Sequence, residues 1–255
     1  MTSFSVVTPT YNAAATLSVC LESVSGQRDA QFEHLIVDGG STDATLAIVD
    51  EHRNRAMATL RLVCSAPDRG IYDAWNRGVK AANGQWVFFL GADDQFIGEQ
   101  VLSQIAKRLA SLKATSTQTQ ELQFVYGQTF FEGGEAEDIV GYQARPFNFT
   151  KGETRFPTAV FIHHSLFAQG AQFDDSYRIC GDHKFFLQHR FYEHSALLDV
   201  PVLRFAQGGV SSASRFEWLH FKERRRMLKE LGYRRHPFID AYLAMRAAMK
   251  AALSE

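Results

Sequence analysis

This sequence has few of the features that mark secreted, zinc-binding or membrane-spanning proteins. Its 255 residues include only three cysteines, Cys20, Cys64 and Cys180, whose spacing fits neither a zinc site nor a disulfide framework. We therefore expect reduced thiols in or near the core of a cytosolic protein. No apolar run reaches the roughly 18 to 20 residues that span a bilayer, and the first strand pattern starts too early for a signal peptide. The sequence predicts a protein that is soluble or peripheral to a membrane.

An excess of charge of one sign is also missing. The formal net charge is -1 at pH 7, which gives no reason to expect a nucleic-acid partner. The charge is unevenly spread, however, because residues 215–255 contain ten Lys or Arg and five Asp or Glu. The net charge is therefore +5 there and -6 in the rest of the chain. A basic tail on an acidic body indicates an anionic partner surface.

What the sequence does contain is a regular alternation of short apolar strands and helical patterns. This alternation predicts an α/β domain with a parallel sheet and right-handed crossovers. The length and the hydrophobic content of 45% suffice for one good core. The first half has predicted strands at 4–8, 32–37, 60–64 and 86–90, and helices near 14–25, 43–51, 71–82 and 99–112. Later strands are predicted at 122–126, 128–132 and 159–162, and later helices near 182–190, 215–231 and 237–253.

Two adjacent carboxylates, Asp93 and Asp94, follow the apolar strand at 86–90. Open α/β sheets bind their ligands at the carboxyl ends of the strands. Carboxylate oxygens also suit a hard divalent cation that carries phosphate. The alternative role for either residue is to cap the following segment. The pattern points to metal-assisted chemistry on a nucleotide.

Several segments resemble, in order, those of the family 2 glycosyltransferases of the GT-A fold. In the first hundred residues they are Thr-Pro-Thr-Tyr-Asn at 8–12, Asp-Gly-Gly-Ser-Thr-Asp at 38–43, Pro-Asp-Arg-Gly-Ile-Tyr-Asp-Ala-Trp-Asn at 67–76 and Ala-Asp-Asp at 92–94. Two more follow, Gly-Asp-His-Lys-Phe-Phe-Leu at 181–187 and Phe-Ala-Gln-Gly-Gly-Val-Ser-Ser at 205–212. The resemblance implies a GT-A fold, with a mostly parallel central sheet flanked by helices and a C-terminal helical extension.

The same resemblance implies a glycosyltransferase of the bacterial polysaccharide-biosynthesis type. Such an enzyme moves a sugar from a nucleoside-diphosphate sugar to a hydroxyl, with help from Mg²⁺ or Mn²⁺. A UDP-sugar is the expected donor. A polysaccharide, such as lipopolysaccharide or exopolysaccharide, or a lipid-linked oligosaccharide is the expected acceptor. We predict inversion at the anomeric carbon, because the sequence offers one base and no evident nucleophile for the opposite face.

The resemblance assigns the first turn to the nucleotide. Tyr11 would stack on the base and Asp38 would accept a hydrogen bond from a base N–H. Thr8, Pro9 and Thr10 would shape the same binding turn. The alternatives are an ordinary buried aromatic residue for Tyr11 and a turn or capping residue for Asp38.

Asp68 and Arg69 precede a predicted helix, and they are the candidates for contacts with the rest of the nucleotide-sugar. A helix N-terminus attracts anions, and arginine can pair with phosphate. The alternative is a surface loop with a local ion pair. Asp73 fits equally well as a first-turn helix residue that favours the helix dipole.

The metal candidates are Asp93 and Asp94, and Asp93 is also a candidate for the donor. The family usually has an Asp-any-Asp pattern here, and this chain has Gly91 in the first Asp position. The general-base candidate is Asp182, because the family's acidic residue at this place deprotonates the acceptor hydroxyl. A weak base suffices when the hydroxyl acidifies only as the new bond forms. The alternative for Asp182 is a helix cap.

We predict one glycosyltransferase domain over residues 1–214. Its nucleotide-sugar-binding half covers 1–112, its acceptor and catalytic-base half covers 121–214, and a basic helical extension covers 215–255. The aromatic and basic tail would either rest on an anionic membrane or pack on the core with a solvated basic face. The expected location is the cytoplasm, with possible contact at the inner face of the cell membrane.

Two other functions are compatible with parts of the pattern. A sugar nucleotidyltransferase would normally carry a glycine-rich, basic phosphate loop after the first strand, where this chain has Thr-Pro-Thr-Tyr-Asn. A non-catalytic subunit that binds a nucleotide-sugar is the second alternative. Two departures from the family pattern favour this alternative. They are Gly91, and Thr158 in a segment where relatives often have His-Gln.

Overall fold

A computed structural model describes residues 2–55, 59–115, 122–131, 157–206, 216–233 and 245. The strands are β1 (Ser3–Thr10), β2 (Gln31–Asp38), β3 (Leu60–Ser65), β4 (Trp86–Phe89), β5 (Gln95–Phe96), β6 (Phe124–Phe131), β7 (Val160–His163) and β8 (Ser195–Phe205). The helices are α1 (Leu17–Ser25), α2 (Thr45–Arg55), α3 (Ile71–Ala81), α4 (Val101–Thr115), α5 (Ser165–Ala168), α6 (Gly181–Gln188), α7 (Phe191–His194) and α8 (Glu217–Glu230).

The strands form one mixed sheet in the order β3-β2-β1-β4-β7-β6-β8-β5. The first four strands along the chain pair in parallel, with β1 between β2 and β4 and with β3 beside β2. In the second half β7 is antiparallel to β4 and β6, β6 is parallel to β8, and β5 is antiparallel to β8. The predicted α/β class is confirmed, with antiparallel pairings in the second half of the sheet.

Period-two alternation along β1 explains the two layers of helices. Val6 faces the core cluster that includes Leu17 and Leu21 of α1, whereas Val7 faces the cluster that includes Ala74 of α3. Gly78 of α3 lets that helix approach closely, because a Cβ there would lie 2.4 Å from Val7 Cγ1. Burial on both faces is typical of parallel strands covered by helices. The carboxyl ends of β1, β2 and β4 consequently share one edge of the sheet.

A third core cluster lies in the second half of the chain. It joins β6 and β7 to α6 and α8 through buried aromatic and aliphatic side chains, which include Phe124, Phe185, Phe191, Met227 and Leu228. Helix α8 therefore packs on the core, as one of the two alternatives for the basic tail predicts. None of the helices in the described ranges is both long and apolar enough to cross a membrane.

Three predicted features lie outside the described residues. They are the acceptor-side segment near 139–155, the glycine-containing loop at 208–212 and, apart from residue 245, the helix at 237–253. The predicted strands at 122–126 and 128–132 form one strand, β6.

Candidate active site

The ends of β1 and β2 are tied into one double turn. Thr10 and Asp38 are register partners at the last residues of the two strands. Beyond them the backbone N–H of Asn12 donates to Ser41 Oγ at 2.8 Å, and the backbone N–H of Thr42 donates to Asn12 Oδ1 at 2.9 Å. Asn12 has a φ of 49°, a conformation that asparagine tolerates better than most residues. Both turns therefore present a fixed surface at the carboxyl edge of the sheet.

Asp38 is the centre of this double turn. Its carboxylate is fully buried and accepts five hydrogen bonds, from the hydroxyls of Thr10, Ser41 and Ser65 and from the backbone N–H groups of Gly40 and Ser41, at 2.5–3.0 Å. Burial alone would raise the pKa of Asp38, but the hydrogen bonds from Ser41, Ser65 and Thr10 outweigh it and lower the pKa. Asp38 thus joins β1, β2 and β3, as its alternative role as a turn residue predicts. Its contact with a base stays a prediction.

The neighbouring residues of β1 differ sharply in exposure. Tyr11 is 68% exposed, which is unusual for a large aromatic side chain and leaves its ring face open to a ligand. Pro9 is part-buried. Thr8 is fully buried, and its hydroxyl lies 2.9 Å from His34 Nε2. Thr10 is bound to Asp38. Of the predicted nucleotide contacts in this turn, the exposed Tyr11 has the most accessible surface, and the Thr8 side chain belongs to the core.

Asp68 lies beside the double turn. Its Oδ1 accepts the backbone N–H of Gly70 at 2.9 Å, and its Oδ2 lies 2.8 Å from the place where a Cβ on Gly39 would stand. Gly70 has a φ of 121° and immediately precedes α3, a backbone conformation that requires glycine. The structure therefore brings Asp68 to the turn that follows β2.

Arg69 and Asp73 form a charged group at the start of α3. The Arg69 guanidinium is exposed, contacts Asp175 and lies 3.6 Å from Asp73. Burial alone would raise the pKa of Asp73, but the Arg69 N–H and the Arg77 guanidinium lower it. Asp73 therefore acts as a first-turn helix residue, and Arg69 links α3 to the second half of the chain.

Asp93 and Asp94 follow β4, whose end lies next to β1. Asp93 is exposed, and Asp94 is buried with its Oδ1 accepting the backbone N–H of Ala206 at 3.0 Å. A Cβ on Gly91 would lie 2.6 Å from Asp94 Oδ2 and 2.8 Å from Asp93 Oδ1. Both carboxylates therefore turn toward space that only glycine leaves open. This all-oxygen donor set fits Mg²⁺ or Mn²⁺, and Asp93 is the more accessible of the two carboxylates.

Asp182 stands in the first turn of α6, where its carboxylate accepts the backbone N–H of His183 at 2.8 Å. The Tyr72 hydroxyl oxygen lies 3.0 Å from Asp182 Oδ1 and 2.6 Å from the carbonyl oxygen of Ile179. Burial, together with the nearby Asp182 carboxylate, raises the pKa of Tyr72 well above its ordinary value, so the hydroxyl remains a donor. Tyr72 belongs to α3, and it therefore connects the donor-side helix to the predicted base.

The loop before Asp182 is held from the opposite side by Glu223 of α8. The buried Glu223 carboxylate accepts the backbone N–H groups of Arg178, Ile179 and Cys180 at 2.7, 2.8 and 2.9 Å. A Cβ on Gly181 would lie 2.7 Å from the Tyr72 ring. We name residues 178–183 the base loop. Helices α3 and α8 together fix its backbone.

Tyr72 and Glu223 are residues whose roles the sequence did not reveal. Tyr72 lies within the segment at 67–76 that carries the family resemblance. The resemblance therefore drew attention to its position but assigned no function to its side chain. Glu223 carries no such signal, because it looks like one charge among many in a basic helix. The structure does not bring the side chain of Thr8 to the exposed edge with Tyr11.

A comparison with protein-family models matches residues 5–176 to glycosyl transferase family 2. The chain belongs to glycosyl transferase family 2. A relative from Mycobacterium bovis BCG, the PGL/p-HBAD biosynthesis glycosyltransferase, is 32% identical over 218 residues, which cover 84% of this chain and 77% of the relative. Another relative, the UDP-Glc:alpha-D-GlcNAc-diphosphoundecaprenol beta-1,3-glucosyltransferase WfgD of Escherichia coli, is 30% identical over 57% of this chain and 52% of its own length. This family 2 chain is accordingly a glycosyltransferase.

Solved structures agree on the fold of this family 2 glycosyltransferase. Staphylococcus aureus TarS 1-349 in complex with UDP-GlcNAc aligns with a TM-score of 0.67 and 19% identity, over 98% of this chain and 72% of that one. The mannosyltransferase PcManGT of Pyrobaculum calidifontis, in complex with GDP-Man and Mn²⁺, aligns with a TM-score of 0.65 and 17% identity, over 98% and 73%. The predicted GT-A fold is confirmed.

Proposed function

We propose that this glycosyltransferase inverts the donor sugar and uses Asp182 as its general base. Asp182 takes the proton from the acceptor hydroxyl while that oxygen bonds to the anomeric carbon and the bond to the diphosphate breaks. Attack from the face opposite the leaving group inverts the anomeric centre. A carboxylate is basic enough because the hydroxyl loses its proton only as the bond forms.

The observation that carries this proposal is the contact between Tyr72 and Asp182. Tyr72 lies on the helix that follows Asp68 and Arg69, so the donor-side loop and the base are joined through one hydroxyl 3.0 Å from Asp182 Oδ1. The hydrogen bond from Tyr72 fixes the orientation of the Asp182 carboxylate. A fixed orientation supports proton transfer, because catalysis by proximity needs a defined geometry. Asp182 is only part-buried, so an acceptor hydroxyl can reach it.

The donor would occupy the carboxyl edge of β1, β2 and β4. The exposed Tyr11 ring offers a stacking face for the base, and Asp68 and Arg69 stand at the start of α3 for the remaining polar contacts. Asp38 keeps the turn in shape, and a direct bond to the base would have to share an oxygen that already has protein donors. WfgD, whose name specifies UDP-Glc, and the TarS complex with UDP-GlcNAc favour a UDP-sugar as the donor.

The cation would be Mg²⁺ or Mn²⁺ and would be held by Asp93. Asp94 would hold the segment after β4 in place beside the ion, because its Oδ1 accepts the backbone N–H of Ala206. When bound, such an ion neutralises the charge that develops on the departing nucleoside diphosphate. The Mn²⁺ bound by PcManGT supports this choice.

The acceptor would be a polysaccharide or a lipid-linked oligosaccharide, reached at the inner face of a membrane from the cytoplasm. The outer face of α8 supports this site of action, because it carries Trp218, which is 39% exposed, beside the exposed Lys222, Arg225 and Lys229. Basic and aromatic residues together favour an anionic bilayer surface. Co-sedimentation with phosphatidylglycerol vesicles tests this contact. The wild-type protein should bind the vesicles more strongly than a variant that carries Lys222→Gln, Arg225→Gln and Lys229→Gln. Equal binding of the two proteins would refute the contact.

The second candidate is a subunit that binds a nucleotide-sugar without catalysis. Gly91, in the position of the family's first Asp, is the observation that favours it. The enzyme is preferred because Asp182 is accessible and fixed.

The first experiment is a thermal-shift panel with UDP, GDP, CDP and dTDP, each with and without Mn²⁺. A ligand at a hundredfold excess over its Kd stabilises the folded state by about 2.7 kcal/mol. We expect a metal-dependent shift with UDP that is lost in the Asp93→Asn variant. A shift with another nucleotide would replace the donor, and no shift with any of them would contradict the proposed site.

The second experiment replaces Asp182 by Asn and measures turnover and donor affinity separately. We expect turnover to fall by about 10² to 10⁴-fold, while the nucleotide-dependent thermal shift stays unchanged. The matched control is Asp199→Asn, on the exposed side of β8. Full turnover in Asp182→Asn, or a product that retains the donor's anomeric configuration, would refute the mechanism.

A further inference from the structure

A group of metal-ligating side chains lies beside the base loop and takes no part in the proposed reaction. Among the residues that the structure describes, Cys180, His183 and His220 each offer one ligand atom, and these three atoms lie within 4.8 Å of one another. Cys180 and His183 flank the start of α6, whereas His220 comes from the first half of α8. Two elements that are distant in sequence therefore converge on one point.

The backbone behind these side chains is fixed by other contacts. The backbone N–H of Cys180 donates to Glu223 at 2.9 Å, and the backbone N–H of His183 donates to Asp182 at 2.8 Å. His220 and Glu223 are three residues apart on α8, so they lie on neighbouring positions of one helix face. The residue that holds Cys180 in place thus also fixes the position of His220 relative to it. Such support is what keeps metal ligands preorganised.

The three donors select the kind of ion. A thiolate with two imidazoles suits Zn²⁺ and similar borderline transition metals, which are bound by sulfur and nitrogen. Mg²⁺ prefers oxygen, so this set differs from the carboxylates at Asp93 and Asp94. The carboxylates of Asp182 and Glu223 lie near enough to Cys180 to favour a cation beside it, and the guanidinium of Arg224 opposes them.

We propose that Cys180, His183 and His220 bind one Zn²⁺-type ion, at a site separate from the one at Asp93. Cys180 loses its thiol proton to the solvent when the sulfur coordinates the ion. Three protein ligands leave a fourth tetrahedral position for water. The bound ion links the start of α6 to α8 next to Asp182, so its presence rigidifies the base loop. The site stands whether or not Asp182 is the base.

The test is metal binding by the full chain, measured without donor or acceptor. The protein is stripped with a chelator and dialysed against limiting Zn²⁺ in excess Mg²⁺, and bound zinc is counted by mass spectrometry. A parallel sample receives Co²⁺, whose ligation by a thiolate gives a charge-transfer band in the near ultraviolet. We expect one zinc per chain and a thiolate band in the wild-type protein.

Variants identify the ligands. His220→Ala should weaken zinc binding by more than about 100-fold, beyond the 10–100-fold typical of losing a supporting residue. Cys180→Ser should lose the cobalt band, and Cys64→Ser and His164→Ala should keep both signals. His220 is only part-buried, so His220→Ala serves as the folded variant, checked by circular dichroism, if Cys180→Ser does not fold.

The proposal is overturned if the wild-type protein gives no thiolate band, or if zinc binding in His220→Ala equals that of the wild type. It is equally overturned if only the controls lose the metal. None of these readouts depends on sugar transfer. A failure here therefore leaves the proposed glycosyl transfer intact, and a failure of the nucleotide panel leaves this site intact.

Discussion

Individual buried polar residues determine how this protein responds to pH. His34 is buried beside Thr8, and burial lowers its pKa from 6.5 to about 3. His34 therefore binds a proton near pH 6.5 in the unfolded chain, but only near pH 3 in the folded chain. Because the unfolded state binds more protons in that range, the free energy of unfolding falls as the pH drops, by up to about 1.4 kcal/mol per pH unit.

We expect the His34→Gln variant to lose the part of this pH dependence that His34 contributes. Urea unfolding between pH 7.5 and pH 5 measures it, since the carboxylates Asp174 and Glu230, whose pKa values are lowered to about 2, affect stability only at lower pH. Burial also lowers the pKa values of His189 and His220, so the wild-type slope has more than one source. Equal slopes for His34→Gln and the wild type would contradict the assignment.

Gly91 gives a second prediction at this scale. Restoring the acidic residue that the family usually carries, by Gly91→Asp, should weaken Mn²⁺-dependent nucleotide binding. The added Cβ would lie 2.6 Å from Asp94 Oδ2, and a third carboxylate would repel the other two. The measurement is the thermal shift with UDP and Mn²⁺, with Gln100→Asp as the control because that residue is exposed. A larger shift in Gly91→Asp would show that the site accommodates the family pattern.

The residue scale also shows where sequence reasoning stops. The turns at 8–12 and 38–43 and the carboxylates at 93–94 could be located from residue types and order. The solvent exposure of each side chain could not be predicted, because it depends on which other groups surround that side chain in three dimensions. Asp38 lies among the hydroxyls of Thr10, Ser41 and Ser65, which come from three different segments. Tyr11, one residue beyond Thr10, is open to solvent.

At the scale of elements, the sequence predicted the first four strands and three crossover helices within a few residues. It missed β8, although Leu198, Val200 and Val202 alternate with exposed residues as a strand should. Pro201 argues against a strand, because proline cannot donate to a ladder. In the structure Pro201 faces Gln128, where the pairing of β6 and β8 shifts register. The irregularity accommodates the proline, and only the three-dimensional pairing reveals it.

Helix α8 gives the prediction that belongs to this scale. Glu223→Gln should lower the free energy of unfolding by about 2–3 kcal/mol, because three backbone N–H groups, two of them buried, lose a charged acceptor. Turnover should fall more than donor affinity, since the base loop moves while the donor edge does not. Urea unfolding and separate kcat and KM values measure the two effects. Lys229→Gln, on the exposed face of the same helix, is the control, and an unchanged kcat in Glu223→Gln would refute a role in positioning the base loop.

At the scale of the whole molecule, the two halves are joined by side chains of α3. Asn76 exchanges two hydrogen bonds with the backbone of Phe173, at 2.8 and 3.0 Å, and Tyr72 contacts the base loop. A separate contact ties α8 to the second half, because Lys184 pairs with Asp174 and also with Glu230 of α8, both at 2.6 Å. The division into halves followed from the order of the motifs. The joints between them could not be predicted, because Asn76 and Phe173 are 97 positions apart and Tyr72 and Ile179 are 107 positions apart.

The predicted boundary at residue 214 can be tested directly. A chain of residues 1–214 would lack α8, and with it the buried Met227 and Leu228, the acceptor Glu223 and the Lys184 partner Glu230. We expect it to lose cooperative unfolding, because removing a packed helix exposes its apolar cluster. Circular dichroism during urea titration, compared with the full chain, decides the question. A sharp transition of full size would confirm 1–214 as an independent domain.

The reliance of the base loop on Glu223 has a consequence for synthesis on the ribosome. The carboxylate that holds residues 178–180 is translated more than forty residues after them. While α8 is still within the ribosome, three backbone N–H groups of that loop have no Glu223 to receive them. The residues at the carboxyl ends of β1, β2 and β4 are all translated by the time the chain reaches Asp94, although Asp94 acquires its partner Ala206 later. This edge can therefore begin to form early, whereas the base loop receives its Glu223 acceptor only when α8 is released.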